Sequence, residues 1–163
     1  MNWTKASAIA EITSSIAILV TLIYLAIEIG QNAEATNAEV RQSILASDQQ
    51  FLEMIVADPR LNLMWYQSEL SPEERTRLSF FLLTHMRMRE NNWLQYQSGV
   101  LDTDTWNTYR SSLIVVLSTP QPRKWWENFN VERQFDPGFI DQVNKLIAGN
   151  PIVEKSPHVA VFD

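Results

Sequence analysis

The first apolar pattern in the chain is continuous rather than periodic. Residues 12–27 carry no charge and read Ile-Thr-Ser-Ser-Ile-Ala-Ile-Leu-Val-Thr-Leu-Ile-Tyr-Leu-Ala-Ile, and the preceding Ser7 to Ala10 extend them across Glu11. At 1.5 Å per residue the uncharged stretch spans about 24 Å. That falls short of a ~30 Å hydrocarbon core, but Glu11 and Glu28 lie where side chains reach headgroups. Trp3 and Lys5 on one side and Tyr24 near the other resemble interfacial anchors. The run ends in Glu28-Ile29-Gly30-Gln31-Asn32, a poor cleavage site, so the expectation is a retained membrane helix over 1–30 rather than a signal peptide. A buried core helix is the alternative.

Within this run Ala10, Ser14, Ala17, Thr21, Tyr24 and Glu28 follow one another at spacings of 4, 3, 4, 3 and 4. That repeat keeps them on one helix face. Small residues there let a second helix approach, whereas Ile9, Ile12, Ile16, Leu19, Ile23 and Ile27 on the opposite face suit lipid.

Helical periodicity takes over downstream. No proline interrupts 31–57, where Val40, Ile44, Phe51, Leu52 and Ile55 recur at helical spacing. This predicts an amphipathic stalk over 31–57, with Gly30 as a hinge and Asp58-Pro59 as the stop. A short helix is expected from Leu61 to Glu69. Ser71-Pro72-Glu73-Glu74 combines a cap, a first-turn proline and a carboxylate three residues on, so a helix runs from there to about Ser98, stopped by Gly99. Its inner face holds Leu78, Phe81, Leu82, His85, Met88 and Trp93 or Tyr96. Another helix starts at Asp102 or Thr103, presents Trp106, Tyr109, Leu113, Val116 and Leu117, and closes at Thr119-Pro120. A shorter one holds Trp125, Trp126 and Phe129. Asp136-Pro137 opens the last, which Gly149 and Pro151 stop. The predicted fold is all-α: a single N-terminal transmembrane helix continuing into a stalk, a small antiparallel helical bundle over 58–150 and an extended tail over 151–163.

Composition narrows function mainly by exclusion. With 13 Lys+Arg against 19 Asp+Glu the net charge is −6. Without Lys5, Glu11 and Glu28, the residues beyond 30 keep 12 bases and 17 acids, a poor match to phosphate backbones, so no nucleic-acid partner is expected. The absence of cysteine removes disulfides, thiolate metal sites and cysteine nucleophiles. Glycine, at 4 residues, is too scarce for a phosphate-cradling loop. His85 is expected on an apolar helix face as a hydrogen-bonded core or boundary histidine. The Glu-x-x-His pair of a di-iron bundle fails, because Leu82 stands three residues before it. His158 falls in the proline-flanked tail. Asp102 and Asp104 read as helix-start carboxylates, and Arg87, Arg89 and Glu90 as a solvated or salt-bridged face. Arg123-Lys124-Trp125-Trp126 places bases beside indoles, the pairing a headgroup surface or a partner's rim selects. The alternative there is one Trp in the core and the bases in water.

Glu11-Ile12, Leu22-Ile23-Tyr24-Leu25-Ala26 and Gln31-Asn32-Ala33-Glu34-Ala35-Thr36 together resemble a widespread group of uncharacterised bacterial proteins with one N-terminal membrane helix. Those proteins often carry Arg before the Gln-Asn, where this chain has Gly30. The resemblance implies an anchor, a helical domain placed in the cytoplasm, no known activity and no catalytic residues. Charge near the span, Lys5 before it and Arg41 after it, leans instead to a periplasmic domain at the bacterial inner membrane. The expected function is a non-catalytic accessory or assembly subunit of a larger membrane complex, energy-converting in one version, with other transmembrane subunits and lipid as partners and no cofactor or metal. The alternative is a self-associating single-pass protein whose domain binds a ligand or signals.

Overall fold

A computed structural model describes residues 3–129 and 131–153, except the side chains of residues 4–6, 8 and 9. The Lys5 anchor and the Ile9 lipid contact therefore lie outside the described side chains, and His158 outside the described residues. The structure is all-α. Its helices are α1 (Trp3–Ala57), α2 (Arg60–Leu63), α3 (Pro72–Gln97), α4 (Thr103–Leu117), α5 (Pro120–Asn128) and α6 (Pro137–Gly149), with a 3-10 turn at Val131–Arg133.

The chain divides into two units, Met1–Gln42 and Ser43–Asp163. The first is helical throughout its described length, and α1 continues through Gly30, the expected hinge. The second unit begins earlier than the expected domain start at 58. The cause lies in the last four turns of α1, where Ile44 and Phe51 are buried and the Asp48 carboxylate pairs with Arg89 of α3. The stretch 43–57 is thus a wall of the domain, not a stalk. Leu52, expected on the buried face, is 60% exposed.

Local signals set the remaining helix ends. Ser71 Oγ accepts from the Glu74 N–H at 3.3 Å and Glu74 Oε2 accepts from the Ser71 N–H at 2.8 Å, a reciprocal capping box. Those Ser71 bonds, the backbone N–H first, hold the Glu74 carboxyl below its ordinary pKa. Gly99 ends α3 with φ +79°, its N–H bonded to the Tyr96 carbonyl and the Val100 N–H to that of Gln95. This is a Schellman closure, which needs a left-handed residue at that position. Asp102 caps α4 through the Thr105 N–H at 2.8 Å, and Asp136 caps α6 through the Gly138 N–H at 2.7 Å. The expected helix from Leu61 to Glu69 is shorter, ending at Leu63, and carbonyls beyond it bond to a distant element. Trp65 O accepts from the Gln121 backbone N–H at 3.1 Å, and Gln67 O from its side-chain amide at 2.6 Å.

Helix α3 is the centre of the second unit. Leu78, Phe81 and Leu82 face one apolar cluster with Phe51, Trp65 and Val116. Met86, with Trp93 and Tyr96, faces another with Trp106, Leu113, Trp126, Phe139 and Val143. Contacts along α3 run in reverse order on both neighbours. Tyr96 stacks on Trp106 and Arg89 lies over Tyr109, so α4 is antiparallel to α3. Arg89 pairs with Asp48, His85 packs on Phe51 and Arg77 pairs with Asp58, so the end of α1 is antiparallel to it too.

Of the two readings of the Arg87, Arg89 and Glu90 face, the salt-bridged one holds, with Arg87 paired to Glu90 and Arg89 to Asp48. Glu90, 7% exposed, accepts from the Asp136 N–H at 2.5 Å and from Arg87 at 2.8 Å, tying α3 to the start of α6. Gly138 sits so close beneath Trp93 that a Cβ there would lie 2.6 Å from the indole.

Candidate functional site

The helix holding Ala10–Ala57 is long and apolar enough to cross a bilayer, with a mean hydropathy of 2.1 over its most apolar 18-residue window. Every residue from Ala10 to Thr36 is exposed. Ala10, Ser14, Ala17, Thr21, Tyr24 and Glu28 share one helix face, and Ile12, Ile16, Leu19, Ile23 and Ile27 lie opposite. The hydroxyls of Ser14 and Thr21 donate to the carbonyls of Ala10 and Ala17, each at 2.9 Å. Such back-bonding satisfies a hydroxyl inside its own helix, so it needs no polar partner in lipid. What remains distinctive about this face is its low profile from Ala10 to Thr21, which admits close backbone approach, with the larger Tyr24 and Glu28 at its end. Trp3, the proposed anchor, is 75% exposed.

The Arg123–Trp126 stretch is corrected by its burial. Trp126 is 2% exposed, packs on Phe135 and Phe139, and donates its indole N–H to Asn144 Oδ1 at 3.0 Å. Arg123, 8% exposed, donates from Nε to the Leu117 carbonyl at 2.7 Å and from its terminal nitrogen to the Asn150 carbonyl at 2.8 Å. These carbonyls stand at the C-terminal ends of α4 and α6. The guanidinium thereby satisfies groups that a helix end leaves without intrahelical donors. Trp125 is half-buried, bonded to Ser79 Oγ at 2.8 Å and stacked on Phe129. Lys124 alone of the four is exposed. The basic-aromatic pattern arises here mostly from capping and core packing, not from a shared surface.

A different constellation appears between α1 and α4. A cleft of about 420 Å³ is walled by Phe51, Leu52 and Ile55 of α1, by Tyr109, Ser112, Val115 and Val116 of α4, and by Trp65 from the turn after α2. His85 and Arg89 of α3 line it as well, two positions separated by one helical turn. His85 is 2% exposed and stacks on Phe51 at 4.9 Å between ring centroids. It is the core histidine the sequence predicts, but not a hydrogen-bonded one, because neither ring nitrogen has a partner. Burial, reinforced by the Arg89 charge, pushes its pKa down to about 3, so the ring is neutral at physiological pH. Arg89 is held by the Asp48 carboxylate and lies over the Tyr109 ring at 5.4 Å, yet its Nε–H is unpartnered. The Trp65 indole N–H, also buried, lacks a partner too. Sequence reasoning singled out His85 but missed Asp48, Trp65 and Arg89, which stand 37, 20 and 4 residues away along the chain. The signal available was the i, i+4 spacing of His85 and Arg89 on an otherwise apolar stripe.

Comparison with family models, curated proteins and solved structures finds no match to this chain.

Proposed function

We propose that this chain is a single-pass protein of the bacterial inner membrane, acting as a non-catalytic accessory or assembly subunit of a larger membrane complex. The observation that carries this reading is the fully exposed, uncharged run over 12–27, with small residues along one face as far as Thr21 and bulky aliphatics on the other. Lipid accounts for the bulky face, and a neighbouring transmembrane helix accounts for the small one. The resemblance of Glu11 to Thr36 to single-helix bacterial proteins supports the anchor. The balance of Lys5 against Arg41 supports a periplasmic domain.

The chain contains no cysteine, so an introduced one is unique. Cysteine at Ser14 or Thr21, carrying a photocrosslinker in native membranes, is expected to capture another polypeptide. The same probe at Ile16 or Leu19 is expected to label lipid. Capture of lipid from all four positions overturns the packing face, and capture of a second copy of this chain replaces the accessory subunit with a self-associating protein. A cysteine at the exposed Lys124 reports the side of the membrane. Labelling by an impermeant maleimide in intact spheroplasts is expected, and labelling only after lysis places the domain in the cytoplasm.

A further inference from the structure

The cleft between α1 and α4 is open along one side, and its lip is apolar. Leu52 is exposed there, and Ile55, Tyr109 and Val115 are half-buried. The nitrogens of Trp65, His85 and Arg89 are sealed beneath this surface and meet nothing that enters. The cleft therefore offers aliphatic and aromatic walls, with three hydroxyls on the α4 side. Thr108, Ser111 and Ser112 donate to carbonyls of their own helix, and each oxygen keeps lone pairs that accept. Such walls suit a peptide, which brings apolar side chains and backbone N–H groups together. A peptide is tethered at the end of the same helix face. Val153 donates its backbone N–H to the Ser118 carbonyl at 2.7 Å. Ser118 stands three positions after Val115, and Val115 three after Ser112, so one face of α4 lines the cleft and carries the tether. The near end of the cleft is about 5 Å away along the helix axis. Beyond the described residues the sequence continues with a polar spacer, Glu154-Lys155-Ser156-Pro157-His158, and then an apolar run, Val159-Ala160-Val161-Phe162.

We propose that residues 159–162 of this chain dock in the cleft between α1 and α4, their alternating side chains lying against Leu52 and Ile55 on one wall and Tyr109 and Val115 on the other. Reach and length both match. From Val153 to Val159 an extended chain covers up to about 20 Å, and four extended residues measure about 13 Å. The cleft runs about 12 Å along α4, from Thr108 to Val116. An open groove holds a free peptide weakly, but a short tether raises the local concentration of an attached one to about the millimolar range. The docked segment covers Leu52, and an outside ligand for the cleft must displace it. The docking lies wholly within the second unit and stands independently of what the membrane segment packs against.

The test uses the full chain in lipid nanodiscs and introduced cysteine pairs. Ala160→Cys is combined either with Leu52→Cys at the lip of the cleft or with Lys124→Cys. Lys124 is exposed and lies near the tether, since the adjacent Arg123 bonds the Leu117 and Asn150 carbonyls. Mild oxidation is expected to close the disulfide to position 52 about fivefold faster than the one to position 124. Leu52→Cys alone reports coverage of the cleft. A soluble maleimide is expected to label it about fivefold faster once Val161→Ser and Phe162→Ser are added. Equal disulfide rates at the two positions overturn the proposal, and so does a labelling rate that the serine substitutions leave unchanged. Disulfides between two chains, in place of those within one, overturn it in favour of exchange of the segment between copies. Leu52 and Lys124 are both exposed, so neither substitution disturbs the core, and the labelling comparison decides the matter even where a cysteine pair fails to form.

Discussion

Replacing Trp126 with alanine separates a core indole from a surface one. The side chain is 2% exposed and meets Phe135 at 5.6 Å and Phe139 edge-on at 6.4 Å between ring centroids. Truncating an indole in such a position costs about 3–5 kcal/mol, the larger part from lost burial and the cavity left behind. The lost bond to Asn144 adds little, since Asn144 is exposed and water takes its Oδ1. Against a typical domain stability of about 5–15 kcal/mol this is a large fraction. With a urea slope of about 2 kcal/mol per molar, the midpoint should fall by about 2 M. Lys124→Ala, at the exposed neighbour, should stay within about 0.5 kcal/mol of the parent. The assay is urea unfolding of the full chain in mild detergent, followed by near-ultraviolet circular dichroism. A midpoint for Trp126→Ala within 0.5 M of the parent, or an equal loss for Lys124→Ala, would refute the assignment of this helix face to the core.

Arg123→Met keeps volume but leaves the Leu117 and Asn150 carbonyls without their donor, so a loss of about 2–4 kcal/mol is expected, with faster hydrogen exchange in the last turns of α4 and α6. Gly138→Ala drives a Cβ to 2.6 Å from the Trp93 ring and should destabilise by about 1–3 kcal/mol. Gly149→Ala, where nothing lies within 4 Å, should be neutral or gain up to about 1 kcal/mol in the same urea titration. His85 titrates near its ordinary 6.5 when unfolded but at about 3 when folded. Below pH 6.5 the unfolded chain therefore binds a proton that the folded chain refuses, and stability present at neutral pH is lost progressively toward pH 3. By pH 5 the loss from this group is about 2 kcal/mol. His85→Leu should flatten that part of the pH profile, and equal slopes for the two proteins between pH 7 and 5 would contradict the burial of a neutral ring.

Elements whose signals are local were legible in the sequence. The capping box at Ser71, the left-handed stop at Gly99, and the carboxylate caps at Asp102 and Asp136 involve atoms within a few residues of one another, so their geometry follows from residue type and spacing. The membrane-length run was equally plain, because its length and lack of charge are properties of the string itself. The inner positions Leu78, Phe81, Leu82 and His85 also followed from a period near 3.6.

What the string could not hold was the identity of each polar group's partner. Arg123 next to two tryptophans has the composition of a membrane rim. It is a joint because α4 and α6 end at the same place, a fact of tertiary geometry. Glu90 has the look of a surface carboxylate, yet the start of α6 arrives to donate to it from 46 residues away. The short helix after Pro59 ends at Leu63, and the Trp65 carbonyl beyond it accepts instead from Gln121 on a distant element. Asp48, Trp65, His85 and Arg89 share a cleft through the antiparallel meeting of α1 and α3 beside α4. Periodicity fixes which face a side chain is on; it cannot say which other face will meet it, because that choice is made by long-range packing and by the need of every buried polar atom for a partner.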